Sequence, residues 1–260
     1  MFKMRIREDG FAAHAYAHDK ANLRNVAAVF PGLPYVPGLQ ECGEFLYSLG
    51  YDVVQPQYSG TYDSDGEFSP QSAVDSVSRL QKVLSRGTLT DHRSGCTVTV
   101  QSGIEVAAAH SFGTWAVANA FVAGFRPKVL LLLSPFLGVG KNLSEAGARI
   151  DLSGQPDHIE KALPFTFRVS SQDEWRSFFT DGMFPFGAVA EGPQSQIIGV
   201  TGGQDPGLDP ERTRRRFLWF SKKYQVAVSS AEFHIVPTAG HDENGLLVEP
   251  VLDALRRRMA

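Results

Sequence analysis

The chain has 260 residues, 43% apolar and 20% charged, a globular composition that excludes an intrinsically disordered protein. Its 25 Lys and Arg against 28 Asp and Glu leave a formal charge of −3, so electrostatics gives no reason to expect nucleic acid as the main partner. Cys42 and Cys96 are too few for a disulfide framework and cannot build a zinc site alone.

In chain order, Met1–Arg7 and Phe11–Ala17 read as an opening hairpin turning at Asp9-Gly10. Val26–Phe30 is a short apolar run ended by Pro31-Gly32, the pattern of a buried parallel strand. A helix is expected over Gly38–Leu49 and a strand over Tyr51–Pro56, followed by a polar glycine-bearing loop from Tyr58 to Ser69. Pro70 then opens a helix capped by Ser69, with Val74, Val77, Leu80 and Leu84 on one face. Asp91–Gly95 reads as a polar connection, Ile104–Ala109 as a strand, Gly113–Ala123 as a helix and Lys128–Leu133 as the sixth strand. Strands Gln196–Val200 and Glu232–Val236 and helices Pro210–Tyr224 and Glu243–Arg257 complete the series.

This alternation predicts an α/β fold with a mostly parallel sheet covered by helices on both faces. From Pro135 to Pro193 no segment resembles a central strand, and Phe136, Phe165, Phe167, Trp175, Phe178, Phe179, Phe184 and Phe186 crowd the stretch. The expected organisation is therefore a core of residues 1–134 and 194–260, with 135–193 inserted as a lid over the carboxyl edge of the sheet. The charged N-terminus MFKMRIREDG lacks an apolar signal core, and the longest strongly apolar run, Val129–Leu133, is far too short to span a bilayer. A cytoplasmic protein without a membrane span is the expectation. The basic clusters Arg212–Arg216 and Arg256–Arg258 read as solvated helix faces.

Chemistry concentrates at Ala109-His110-Ser111-Phe112-Gly113, between an apolar strand and a helix. The pentapeptide resembles the G-x-S-x-G nucleophile elbow of the α/β-hydrolase superfamily, with Ala109 at the first small position. A serine nucleophile requires a base to take its proton and an acid to orient the base. The superfamily order is serine, acid, histidine. Ile197–Asp205 resembles its acid loop, a strand followed by Gly202-Gly203-Gln204-Asp205, and Phe233–His241 resembles its final strand and Gly-His loop. The resemblance implies Ser111 as nucleophile, Asp205 as acid and His241 as base. Asp209 reads instead as the cap of the following helix. At the alternative acid position, after Leu133, stands Ser134, which has no carboxylate.

The same resemblance implies an oxyanion hole formed by the backbone N–H groups of Phe112 and Leu33. Leu33 lies in the Phe30-Pro31-Gly32-Leu33-Pro34 loop after the first parallel strand. Tyr58–Phe68 is similar to the G-x-G-x-S-x-G loop of lysophospholipase-like and serine-aminopeptidase-like members, with Tyr62 replacing the second glycine and a supporting role implied. The implied activity is hydrolysis of a carboxylic ester of a small, largely apolar acyl substrate, without metal or organic cofactor. The same groups could serve amidase, thioesterase, C–C hydrolase or acyl-transfer chemistry, or stand unused in a ligand-binding protein. Trp175, Phe178 and Phe179 are candidate substrate contacts if the insertion closes over the site; otherwise they pack the insertion.

Overall fold

The computed structural model describes residues 1–18, 23–137, 161, 166–179 and 189–259. The opening hairpin joins β1 (Phe2–Glu8) to β2 (Phe11–Ala17). Asp9 and Gly10 take φ of 48° and 72°, the left-handed pair that matches a two-residue turn to the twist of its strands. The remaining strands are β3 (Val26–Phe30), β4 (Asp52–Gln57), β5 (Thr88–Thr90), β6 (Thr97–Thr99), β7 (Val106–His110), β8 (Val129–Leu133), β9 (Ser195–Gly202) and β10 (Val228–Val236).

Eight of them form one sheet in the order β1-β2-β4-β3-β7-β8-β9-β10. The pairs β1–β2 and β2–β4 are antiparallel, and every later neighbour pair is parallel. β5 and β6 form a separate hairpin whose turn is the expected polar connection Asp91–Gly95; the two short strands flanking it were not expected. Cys96 sits half-buried beside it, whereas Cys42 is buried.

Seven helices are described: α1 (Glu41–Ser48), α2 (Pro70–Leu84), α3 (Phe112–Val122), α4 (Gln172–Ser177), α5 (Pro210–Lys223), α6 (Glu243–Leu246) and α7 (Glu249–Met259). Where one helix was expected over Glu243–Arg257, the chain breaks at Leu247 and Val248 into α6 and α7. α2 begins as expected, with Ser69 and Ser72 exchanging side-chain and backbone hydrogen bonds in a capping box.

Strand alternation sorts the core into two layers. Ala28, Phe30, Ala107, Ala109, Leu130, Leu132 and Ile197 join one cluster, and Ala27, Val29, Val106, Ala108, Leu131, Leu133 and Ile198 join the other. Each fully buried Leu of β8 contributes ~1.5–3 kcal/mol, which is why this strand is apolar on both faces. α3 is buried at all eleven positions, so it has no polar side to present to solvent.

The chain runs from β3 outward to β4 and then returns past β3 to β7. The loops after β3 and β7 therefore diverge at a switch point, opening a crevice at the carboxyl ends of the parallel strands. Most of residues 135–193 lies outside the described residues, including Phe165, Phe184 and Phe186. No described helix is long and apolar enough to cross a membrane.

Candidate active site

Ser111 joins β7 directly to α3 with φ 49° and ψ −119°, a left-handed conformation that a side-chain-bearing residue adopts only under constraint. Leu133 of β8 accepts its N–H at 2.9 Å. The turn is tight enough that a Cβ on Gly113 would lie 2.4 Å from the Phe30 carbonyl oxygen and 2.6 Å from that of Pro31. Gly113 is therefore required by close approach of the β3 loop, whereas Ala109 fits inside the sheet, paired with Phe30 and Leu132.

His241 Nε2 lies 2.9 Å from Ser111 Oγ, and His241 Nδ1 lies 2.7 Å from Asp205 Oδ2. The three side chains come from loops after β7, β9 and β10. The acid and histidine loops interlock through glycine: a Cβ on Gly202 would meet the Gly240 carbonyl oxygen at 2.0 Å, and one on Gly203 the Pro237 oxygen at 2.7 Å. Gln204 N–H donates to the Ala239 carbonyl at 2.9 Å across the same contact. Gly240 has open space around its would-be Cβ, so its place beside His241 has no comparable steric basis.

Asp205 is fully buried, and its other oxygen, Oδ1, accepts N–H from Gly207 at 2.8 Å and Leu208 at 2.9 Å. Burial alone pushes the carboxyl up; the hydrogen bond and charge of His241, with the two backbone donors, outweigh it and hold it below the usual range. Asp209 is instead the N-cap of α5 and accepts the Arg212 N–H at 2.9 Å.

Two supporting side chains were not singled out for these roles by sequence. Ser134, buried with φ 44°, donates its hydroxyl towards Asp205 Oδ2 at 3.3 Å and towards the His241 carbonyl at 3.4 Å. Its position directly after β8, where an acid could stand, was the available signal. His110 Nε2 lies 2.7 Å from the same His241 carbonyl, so this nitrogen carries the proton and donates it. Burial, then the neighbouring His241, pushes the His110 imidazole down to about 4, which keeps it neutral in this role.

Leu33 and Ser111 line one cavity of about 690 Å³. Phe112, the first residue of α3, has no intrahelical acceptor for its N–H. Its ring points into an aromatic cluster with Tyr58, Phe68, Trp115, Trp175 and Phe178 at centroid distances of 5.6–6.1 Å. Trp175, Phe178 and Phe179 are buried there, at 1%, 0% and 6% exposure, and do not line the cavity beside Ser111.

The loop Tyr58–Phe68 braces this arrangement. Tyr58 donates its hydroxyl to the Pro31 carbonyl at 2.9 Å, and the Tyr35 hydroxyl pairs with Thr61 Oγ1 at 2.6 Å. Gly60, at φ 80°, passes so close to Phe68 that a Cβ would fall 2.0 Å from its nitrogen. Tyr62 takes φ 47°, the conformation a glycine would adopt freely at that position. On the far side, Arg168 donates to the carbonyls of Gly66, Tyr62 and Ser64, and Trp175 Nε1–H donates to Phe68 O at 3.1 Å.

A mostly parallel eight-stranded sheet, with a serine at a strained turn after β7 and an acid and a histidine following β9 and β10, is the α/β-hydrolase fold. Similarity to solved structures agrees. The chain is similar to DcsB, solved in complex with its substrate analogue, with 15% identity over 99% of this chain and 98% of that one and a TM-score of 0.62. It is similar to the monoacylglycerol lipase of Paleococcus ferrophilus, with 16% identity over 95% and 97% and a TM-score of 0.57. It is also similar to mouse alpha/beta hydrolase domain-containing protein 10, with 13% identity over 100% of both chains and a TM-score of 0.58. No protein-family model matches the sequence, and no curated protein matches it.

Proposed function

We propose that the protein is a serine hydrolase that cleaves a carboxylic ester through an acyl-enzyme on Ser111. The observation that carries this reading is the hydrogen-bonded line from Asp205 through His241 to Ser111, on a serine whose backbone is held at φ 49°. Monoacylglycerol lipase chemistry on a similar fold supports an ester over other acyl bonds.

In the proposed reaction His241 Nε2 takes the Ser111 hydroxyl proton as Oγ bonds to the ester carbon. The carbonyl oxygen gains negative charge, and the N–H groups of Phe112 and Leu33 are the donors assigned to it. Collapse breaks the bond to the alcohol, which leaves with the proton from His241. Water then gives a proton to His241 and attacks the acyl carbon, releasing the acid and restoring Ser111. Asp205 holds Nδ1–H throughout and favours the imidazolium form.

Residues 135–193 are assigned as a cap on the core of 1–134 and 194–260. The bridges of Phe167 and Val169 to the Tyr58–Phe68 loop support such packing. Within it, Trp175 and Phe178 pack against the Phe112 ring, and Phe179 packs against Trp175 and Phe178.

A fluorophosphonate probe should label the wild-type protein and leave Ser111→Ala unlabelled. Equal labelling of both would overturn the proposal. Chromogenic esters, thioesters and aminoacyl amides of matched size then test the assignment to esters.

A further inference from the structure

The Phe112 N–H, assigned as an oxyanion donor, shares one planar peptide group with the Ser111 carbonyl. Whatever holds that carbonyl therefore also aims the N–H. Ser111 stands at φ 49° and ψ −119°, and its own N–H is committed to the Leu133 carbonyl at 2.9 Å. On its other side, the Ser111 carbonyl accepts two bonds from Thr114: the backbone N–H at 2.9 Å and the hydroxyl at 2.5 Å.

The first belongs to the opening turn of α3, but the second has a direction fixed from outside the helix. Thr114 is fully buried, and its Oγ1 accepts the Phe136 N–H at 2.8 Å. An amide N–H can only donate and a carbonyl oxygen can only accept, so the single hydroxyl proton goes to the Ser111 carbonyl. The series from Phe136 N–H through Thr114 O–H to Ser111 C=O thus runs in one sense and ends on the peptide that presents the Phe112 N–H. Bonds in such a series polarise one another, and a carbonyl that accepts strongly makes the N–H of its own peptide a better donor. The nucleophile turn is held on both sides, by Leu133 at its N–H and by Phe136, three residues on, through Thr114 at its carbonyl.

Resting on the serine-hydrolase reading, we propose that Thr114 is a positioning residue for the oxyanion donor. Its hydroxyl fixes the plane of the Ser111–Phe112 peptide and strengthens the N–H that faces the developing charge, without touching a reacting atom itself.

The test uses p-nitrophenyl butyrate and an alkyl fluorophosphonate, because the phosphonyl oxygen also gains negative charge as Ser111 attacks. Thr114→Val keeps the shape and loses the hydroxyl, whereas Thr114→Ser keeps the hydroxyl. In Thr114→Val, kcat should fall about tenfold with KM within about twofold, and the second-order rate of labelling should fall by a similar factor. Thr114→Ser should stay within about threefold of wild type in both assays. Where Thr114→Val fails to fold, Thr114→Cys, whose thiol is a weaker donor, should show the same pattern of losses. Wild-type kcat and labelling rate in a folded Thr114→Val or Thr114→Cys, a loss confined to KM, or a Thr114→Ser as impaired as Thr114→Val would overturn the Thr114 proposal alone. Where the wild type is labelled but leaves the ester intact, the labelling rates decide by the same criteria. Failure of Ser111 to label in the wild type would overturn the hydrolase reading beneath it.

Discussion

Asp205→Asn is the substitution whose consequence follows most directly from the geometry. The Oδ1 position faces two backbone donors, Gly207 N–H at 2.8 Å and Leu208 N–H at 2.9 Å. A side-chain NH₂ there would meet donors only, so the Asn carbonyl must occupy that end and its NH₂ must point at His241. In the wild type, Oδ2 accepts the Nδ1 proton at 2.7 Å. Facing an NH₂ instead, Nδ1 becomes the acceptor and the imidazole proton moves to Nε2, the atom 2.9 Å from Ser111 Oγ. A neutral ring already protonated at Nε2 cannot take the serine proton. The expected loss is ~10⁴-fold in kcat, about 5 kcal/mol of transition-state stabilisation, with KM little changed. The assay is steady-state hydrolysis of a chromogenic ester, with Asp209→Asn as control. That control weakens only the cap of α5 and should leave kcat intact. An Asp205→Asn enzyme within tenfold of wild type, or an inactive Asp209→Asn, would refute the reasoning.

His110 predicts an acid sensitivity. Its imidazole is pushed from 6.5 to about 4 in the fold, so below 6.5 the unfolded chain binds a proton that the folded one refuses. Stability present above that value is lost as pH falls towards the folded value, by about 2 kcal/mol at pH 5. Urea unfolding of His110→Gln should show a correspondingly smaller drop between pH 7 and 5, and an equal drop would sink the assignment. Asp205, held low, adds stability that is present above its unfolded value and fades as pH falls through its lowered folded value, a component that Asp205→Asn should lack in acid titrations. Gly202→Ala forces a Cβ onto the Gly240 and Ala239 carbonyl oxygens, so it should cost ~1–3 kcal/mol in thermal unfolding and uncouple His241 from Asp205. Tyr58→Phe removes the donor to the Pro31 carbonyl; it should cost ~1 kcal/mol and lower kcat more than it raises KM if the β3 loop supports the oxyanion.

Sequence patterns that are local proved the most legible. The six-strand parallel series, the Ser69 cap and the Asp9-Gly10 turn each follow from a few adjacent residues, and the sheet carries all of them. The β5–β6 hairpin was passed over because each strand is three residues long, and only Leu89 and Val98 are buried in it. A single helix over Glu243–Arg257 was expected because apolar periodicity continues across Leu247 and Val248, where the chain breaks. The candidate serine, acid and histidine were legible for a related reason, since each stands at a strand end beside small residues. Two of those small residues, Gly113 and Gly202, leave no room for a Cβ against a neighbouring carbonyl.

What sequence could not disclose is how the His241 loop is held, because its anchors come from other strands. Ser134 after β8 and His110 at the end of β7 both donate to the His241 carbonyl. The Ser134 hydroxyl also reaches Asp205 Oδ2. The position that lacks a carboxylate after β8 thus contributes a donor to the carboxylate after β9, and the histidine backbone is tied to the ends of β7 and β8. Such ties carry no spacing signal, since 107 and 131 residues separate the partners along the chain. They help one imidazole meet an oxygen at 2.7 Å on one side and another at 2.9 Å on the other, because its backbone is held to the ends of β7 and β8. Removing either anchor should therefore lower kcat while Ser111, Asp205 and His241 all remain in place, a loss that a motif reading of those three residues would not anticipate.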